Sequence, residues 1–222
     1  MKTRIMKTKL PSFKLGCFWL WPNCFNLRGV PDCYLADISV QYADLAFIGP
    51  EGSGKTTLAL ELSKNTSRPY ISTRKILENL RDNDPGPFGD EVRKMFNDKV
   101  YLAGETLLKI LVERFSKDDL ANGFILDGGF RTVEETRDFR KMLKLAGRDY
   151  PVDIRYLKIP KEISYERLID GAKARKRNDD TPEALEKRLS NFYLQLEERQ
   201  AIIKSEEGWR IIEIDATPTP EK

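Results

Sequence analysis

The chain has 222 residues, of which 40% are hydrophobic and 33% charged, which suffices for one domain with a sizeable core and excludes a disulfide-held miniprotein or a disordered chain. No run approaches the roughly 18 apolar residues of a spanning helix, so we expect no membrane segment. The complete absence of histidine excludes His-containing catalytic triads and His-ligated zinc. Any chemistry must therefore use lysine, arginine, carboxylates or hydroxyl groups.

The net charge of +3 comes entirely from residues 1–44, which carry six basic and three acidic residues. The neutral remainder argues against nucleic-acid binding. All three cysteines, Cys17, Cys24 and Cys33, lie in the same basic segment. Their spacing favours reduced thiols in the cytoplasm, with a metal or disulfide role as the alternative. We interpret residues 1–43 as an extension of unknown role, or alternatively as a targeting peptide.

From residue 44 onward, short apolar runs alternate with longer helical patterns, which is typical of a parallel sheet with crossover helices. Five strands are predicted, at 45–48, 69–72, 123–127, 154–159 and 209–214. Helices are predicted at 57–64, 106–115, 132–146, 164–169 and 182–204. The last helix is expected to begin with Thr181 as its N-cap and Pro182 at its first position.

The first predicted strand runs directly into GPEGSGKTT, residues 49–57, which fits the phosphate-binding pattern GxxxxGK[ST]. Glycines let the backbone amides of such a loop point at an anion, and the following helix adds its positive dipole end. Lys55 is expected to contact the β- and γ-phosphates, and the Thr56 hydroxyl to bind Mg²⁺. The ATP-binding residues predicted from this loop are Gly49, Glu51, Gly52, Ser53, Gly54, Lys55, Thr56 and Thr57.

A second motif follows the third predicted strand, which ends in Asp127 and continues as Gly-Gly-Phe-Arg-Thr132. An aspartate at the carboxyl end of a neighbouring strand would lie beside the phosphate loop and orient Mg²⁺ through water. Arg131 would face the same crevice. The two motifs together predict a P-loop nucleotide-binding protein with the three-layer α/β/α fold.

The order of the motifs resembles the adenylate kinase family of nucleoside monophosphate kinases over residues 44–216. The similarity includes GPEGSGKTT, Tyr70–Thr73 for the second strand and the start of the acceptor site, DGGFRT at 127–132 for the family's DGFPRT, RNDD at 177–180 for its RxDD, and Lys187-Arg188-Leu189 for its KRL. This resemblance implies reversible, Mg²⁺-dependent transfer of the ATP γ-phosphoryl group to a nucleoside monophosphate, with AMP as the expected acceptor. Alternatives are a kinase for CMP, UMP or another small acceptor, and a nucleotide-binding module with weakened catalysis.

The resemblance also implies roles for individual residues. Lys55 would stabilise charge on the transferring group, Arg131 and Arg188 would hold the acceptor phosphate, and Arg177 would contact both nucleotides. The full set implied for the acceptor nucleotide is Thr73, Val100, Gly128, Arg131, Glu135, Arg177 and Arg188. An acceptor-binding flap is expected at about 73–105 and a short lid at about 170–182, within a domain spanning 44–222. We expect a monomer without nucleic-acid or membrane partners.

The chain departs from the family pattern mainly on the acceptor side. Glu78 replaces the usual phosphate-binding arginine, for which Arg74 or Arg81 could substitute. Phe130 stands where a proline usually sets the turn, and Glu135 stands where a glutamine usually reads the base. An ionised glutamate only accepts hydrogen bonds, so the base preference stays open.

Overall fold

The computed structural model describes residues 44–98, 102, 104–171, 174 and 180–217. The strands are β1 (Asp44–Ile48), β2 (Tyr70–Ser72), β3 (Ile125–Asp127), β4 (Val152–Lys158) and β5 (Trp209–Asp215). The helices are α1 (Lys55–Thr66), α2 (Thr73–Asn83), α3 (Pro87–Asp98), α4 (Gly104–Phe115), α5 (Val133–Leu145), α6 (Lys161–Tyr165), α7 (Pro182–Leu194) and α8 (Leu196–Ser205). A 3₁₀ turn (Asp118–Leu120) follows α4, and a π-helical turn (Glu166–Asp170) follows α6.

All five predicted strands are present and form one parallel sheet in the order β2-β3-β1-β4-β5. The neighbours β1 and β3 are in register, with Phe47 opposite Asp127. The connection after β1 leads towards β2, whereas the connection after β3 leads past β1 towards β4. Ligands of open parallel sheets bind in the crevice at the carboxyl ends of such strands. The sheet order therefore places the phosphate loop and the 127–132 segment side by side.

The sheet is covered on both faces, as the alternation of side chains along each strand requires. On one face, Leu45 and Phe47 of β1 pack with Ala59 and Leu62 of α1. On the other face, the larger core contains β-strand residues and the inner side of α5, including Ala46, Ile48, Leu126, Phe139, Met142 and Leu143. The predicted three-layer α/β/α architecture is confirmed.

The prediction of one helix over 182–204 is wrong, because the chain breaks between α7 and α8 at Gln195. The Gln195 side chain accepts a hydrogen bond from the amide of Val133 at 3.1 Å, and its carbonyl accepts one from Arg199 at 3.1 Å. The contact with Val133, which is 62 positions away, accompanies the break in the helix. The predicted start of α7 is confirmed, since the Thr181 hydroxyl accepts a hydrogen bond from the amide of Ala184 at 3.2 Å.

Helices α2 and α3 were not predicted, although they form most of the segment interpreted as a flap. The connection between these two helices is short, because α2 ends at Asn83 and Pro87 begins α3. The boundaries of the flap and the lid stay predictions, and most of the lid, together with residues 1–43 and their cysteines, lies outside the described residues. Within the described part of the chain, every helix falls short of the length and apolar character needed to cross a membrane.

A buried ion pair lies at the amino end of β1, at the end of the sheet away from the phosphate loop. Arg148 donates hydrogen bonds to the Asp44 carboxylate and to the carbonyl of Leu120, both at 2.7 Å. Burial raises the pKa of Asp44, and the Arg148 charge opposes that rise. Removing one member of such a pair leaves the other buried without a partner for its charge, which destabilises the folded protein.

We therefore expect Arg148→Met to lower the free energy of unfolding by about 3–5 kcal/mol. The double variant Asp44→Asn/Arg148→Met should recover part of this loss, because it leaves no buried carboxylate without its partner. Urea denaturation of the wild type, the two single variants and the double variant measures the coupling. Additive effects of the two substitutions would contradict the assignment.

Candidate functional site

The phosphate loop joins β1 to α1 and curls with three glycines in conformations that other residues rarely adopt, with φ of 155° at Gly49, 82° at Gly52 and 87° at Gly54. A Cβ atom at Gly52 would lie 3.3 Å from Cα of Ser164. At Gly54 a Cβ would meet nothing within 4 Å, so the requirement there is conformational, not one of space. Ser53 is buried in the curl, and the first turn of α1 begins at Lys55.

The ammonium group of Lys55 lies inside this curl. Its Nζ donates hydrogen bonds to the carbonyls of Gly49 and Pro50, both at 2.8 Å, and approaches Oγ of Ser53 at 3.2 Å. A compact charge on a flexible stem can exchange carbonyl partners for phosphate oxygens without moving the backbone. The geometry therefore fits the predicted role of Lys55 toward an anion in the loop.

Asp127 lies beside the loop, as predicted, and joins it to two other elements. Its Oδ2 accepts hydrogen bonds from Oγ1 of Thr56 at 2.7 Å and from the hydroxyl of Tyr70 at 2.8 Å. Burial, together with the Asp127 carboxylate, raises the pKa of Tyr70 to about 12. Sequence reasoning placed Tyr70 in the second strand and in the motif at the start of the acceptor site, but not in contact with Asp127. Tyr70 pairs with Ile125 of β3, two residues before Asp127, and this register brings the Tyr70 hydroxyl to the Asp127 carboxylate.

A cavity of about 240 Å³ opens next to these loops, between α2, α3 and the start of α5. Its polar lining consists of Thr73, Arg74, Arg131 and Glu135, and its apolar lining includes Leu77, Met95, Phe96 and Leu107. Gly128, with φ of 88°, gives the Arg131 guanidinium room, since a Cβ there would lie 2.9 Å from its Nη2. The structure thus gathers three of the predicted acceptor residues, Thr73, Arg131 and Glu135, around one cavity, with Gly128 beside the Arg131 side chain.

The Glu135 side chain is engaged with the backbone at the start of α5. Thr132 caps the helix by accepting a hydrogen bond from the Glu135 amide at 3.1 Å, and the Glu135 carboxylate accepts one from the amide of Arg131 at 3.0 Å. This reciprocal arrangement resembles a capping box shifted by one residue. Burial raises the pKa of Glu135, while the charge and amide of Arg131 oppose the rise.

Arg188 connects α7 to the phosphate loop. Its Nη1 lies 3.4 Å from Oε2 of Glu51, and its Nη2 lies 3.3 Å from Oδ1 of Asp180. These contacts place Arg188 beside the phosphate loop. The predicted site residues Arg177 and Val100 lie outside the described residues. Thr57 is exposed in the first turn of α1.

Arg167 is a further cation at the loop that sequence reasoning did not assign. Its guanidinium donates hydrogen bonds to the carbonyls of Gly52 at 3.1 Å, Ala216 at 3.1 Å and Thr217 at 3.0 Å. Burial lowers the pKa of Arg167. The residue thereby ties the phosphate loop to the chain that leaves β5, a contact for which the sequence carries no local signal.

Comparison with known proteins agrees with this geometry. The family model described as "Adenylate kinase" matches residues 47–204. A protein named adenylate kinase from Cyanothece sp. is 32% identical over 151 residues, covering 68% of this chain and 76% of that protein. One of the same name from Xanthomonas campestris is 36% identical over 149 residues, covering 67% and 78%. Another, from Xanthomonas euvesicatoria, is 34% identical over the same length and with the same coverage.

The contact between Tyr70 and Asp127 can be tested by titration. A negative carboxylate disfavours the phenolate, so Asp127→Asn should lower the pKa of Tyr70 from about 12 while burial keeps it above its ordinary value. Ultraviolet difference titration against Tyr70→Phe isolates this group, with circular dichroism confirming that each variant stays folded. Tyr156, whose pKa burial also raises to about 12, should be unaffected. An unchanged Tyr70 titration would contradict the contact.

Proposed function

The chain belongs to the adenylate kinase family and is a phosphotransferase acting on nucleotides, and on this basis we propose that it catalyses the reversible reaction of ATP with AMP to give two ADP. The observation that carries this proposal is the convergence of Lys55, Asp127, Arg131 and Arg188 at the carboxyl edge of one parallel sheet. ATP would occupy the loop at 49–57, and the acceptor would occupy the cavity that Arg131 lines.

The transfer needs positioning and charge neutralisation. An oxygen of the AMP phosphate forms a bond to the γ-phosphorus while the bond from that phosphorus to the β-bridging oxygen breaks, so that ATP and AMP both become ADP. Negative charge on the transferring group is offset by Lys55 from the loop and by Arg131 and Arg188 from the sides. No covalent intermediate is required, in keeping with a sequence without histidine.

Magnesium is the expected partner of the ATP phosphates. Thr56 and Asp127 place a hydroxyl and a carboxylate oxygen 2.7 Å apart, and Mg²⁺ prefers such hard oxygen ligands, using one or two from the protein and the rest from phosphates and water. In the described residues no cluster of three or more acidic or cysteine side chains offers a complete metal cage, which suits an ion that arrives with ATP. When bound, Mg²⁺ neutralises charge on the β- and γ-phosphates. Tyr70 and Thr56 would keep the Asp127 carboxylate oriented toward it.

A broader choice of acceptor is the second candidate, and the contacts of Glu135 favour it. Its carboxylate already accepts a hydrogen bond from the backbone amide of Arg131, so its capacity to read a base is reduced. The remaining cavity wall next to it is largely apolar and would pack against different bases. CMP, UMP or another small phosphate acceptor would then compete with AMP.

The proposed reaction can be tested with purified full-length protein. We expect ADP formation from ATP and AMP that requires Mg²⁺, with slower or no product from CMP, UMP, GMP and dTMP. Lys55→Ala should lower kcat by about 1000-fold, because it removes a preorganised charge at the transferring group. A preference for CMP or UMP would favour the second candidate. Binding of ATP without transfer to any acceptor would overturn the proposal.

Arg74 is the residue that we assign to the acceptor phosphate in place of the family's usual arginine. It lines the cavity together with Arg131, and Glu78, which occupies the usual position, pairs with it at 2.7 Å. Arg81, the other candidate, instead pairs with Asp82 at 2.7 Å and lies over the ring of Phe96 at 4.7 Å. The Glu78 carboxylate thus orients the guanidinium of Arg74, which lies one helical turn earlier in α2.

We expect Arg74→Ala to raise the KM for AMP by about 10- to 100-fold, the loss typical of one charge-assisted hydrogen-bonding group. The KM for ATP should stay within about twofold, because Arg74 lines the acceptor cavity, whereas ATP is assigned to the loop at 49–57. Arg81→Ala is the matched control and should leave both constants nearly unchanged. Steady-state kinetics with each nucleotide varied in turn checks this assignment, which fails if Arg81→Ala has the larger effect.

A further inference from the structure

Phe130 has an unusual backbone conformation directly before the arginine of the acceptor site. Its φ is 57°, in the left-handed region that bulky residues rarely occupy. Its ring is fully buried, with centroids 4.4 Å from the ring of Phe139 and 5.8 Å from that of Trp209. At this position the family usually has a proline, whose ring would hold φ at about −65°, so the turn here has a different backbone shape and must be fixed by other interactions.

The peptide unit between Phe130 and Arg131 is held at both of its polar ends. The carbonyl of Phe130 accepts a hydrogen bond from Nη1 of Arg199 at 2.7 Å. The amide of Arg131 donates to Oε2 of Glu135 at 3.0 Å. Because a peptide unit is planar, fixing its C=O and N–H groups fixes its orientation as a whole. The backbone from which the Arg131 side chain projects is therefore set from two opposite sides.

Arg199 is well suited to this task because it is only 1% exposed and bonds through all three of its nitrogens. Its Nε donates to the carbonyl of Gln195 and its Nη2 to that of Phe192, whose ring lies 4.6 Å from the guanidinium. A guanidinium presents its donors in a fixed plane, which makes it a rigid connector. Burial lowers the pKa of Arg199, and the nearby charge of Glu135 opposes this.

The same helix junction holds the other side of the turn. The Gln195 side chain accepts a hydrogen bond from the amide of Val133, the first residue of α5, at 3.1 Å. Arg131 thus lies between two backbone points, Phe130 and Val133, that are both fixed by the α7–α8 junction. Its own side chain is exposed and lines the acceptor cavity.

We propose that Arg199 is a positioning residue for the acceptor site, which clamps the Phe130–Arg131 peptide together with Glu135 so that the Arg131 guanidinium faces the acceptor phosphate. The inference rests on the proposed function of Arg131. It assigns a role to a buried arginine that does not line the cavity, and it accounts for how the turn is held with Phe130 in a left-handed conformation that a proline could not adopt.

The test compares Arg199→Met with Arg131→Met and with the double variant. Arg199→Met should lower kcat/KM for AMP on the order of 100-fold, as expected when a binding group is displaced by about 1 Å, with the KM for ATP within about twofold. If Arg199 acts through Arg131, the double variant should be no worse than Arg131→Met alone. Arg199→Lys keeps the charge and one donor group and should lie between the wild type and Arg199→Met.

A matched control separates positioning from general loss of stability. The double variant Asp44→Asn/Arg148→Met also removes a buried arginine that donates to a backbone carbonyl, but at the opposite edge of the sheet. It should change neither KM beyond about twofold at a temperature where all variants are folded. If Arg199→Met does not fold, the same comparison is made with Arg199→Lys, whose KM for AMP should still rise while that for ATP does not.

Calorimetric binding of AMP and of ATP distinguishes failure of this inference from failure of the proposed function. Absence of transfer by the wild type would overturn the proposed function, whereas a selective loss of AMP affinity in Arg199→Met would still support the clamp. Equal loss of AMP and ATP affinity, or effects of Arg131→Met and Arg199→Met that add fully in the double variant, would overturn the clamp.

Discussion

The rest of the site depends on the parallel pairing of β1 with β3. Parallel neighbours end at the same edge, so the loop that leaves β1 and the turn that leaves β3 lie next to each other. This pairing brings the Thr56 hydroxyl within 2.7 Å of the Asp127 carboxylate, although 71 positions separate the two residues. The cations Lys55, Arg131 and Arg188 approach the same edge, and a crevice lined in this way concentrates anions. The order of the strands thus determines where the positive charges of the site are brought together.

The acceptor side shows how a local departure can be offset by contacts from elsewhere. Where the turn has Phe130 and not proline, Arg199 from α8 holds the carbonyl. Where α2 has Glu78 and not arginine, the carboxylate orients Arg74 from the preceding turn. In both cases a cation, Arg131 or Arg74, still lines the cavity. A binding site that requires a positive charge in a given direction tolerates such exchanges better than one that requires particular residues at particular positions.

Much of the fold could be predicted because its signals are local. Apolar runs identified all five strands, and the glycine pattern at 49–57 identified the phosphate loop. The break at Gln195 could not be predicted, since it depends on the amide of Val133, 62 positions away. Tyr70 and Arg167 escaped notice for the same reason, because each enters the site through register or through contacts with distant carbonyls. Sequence patterns report what a residue prefers locally, whereas these residues act through the partners that the fold brings to them.

Four arginines of the described residues represent two physical classes, and the difference between them clarifies how a site rich in one residue type can be selective. Arg148 and Arg199 are buried and donate to backbone carbonyls, where the cost of desolvation is offset only by well-directed hydrogen bonds. Arg74 and Arg131 are exposed at the cavity, where an anion can reach them. A buried guanidinium is rigid and can set the backbone, but it is not exposed to a ligand. An exposed guanidinium can bind a phosphate, but its direction depends on the backbone that carries it. The buried arginine therefore fixes the backbone, and the exposed arginine binds the ligand.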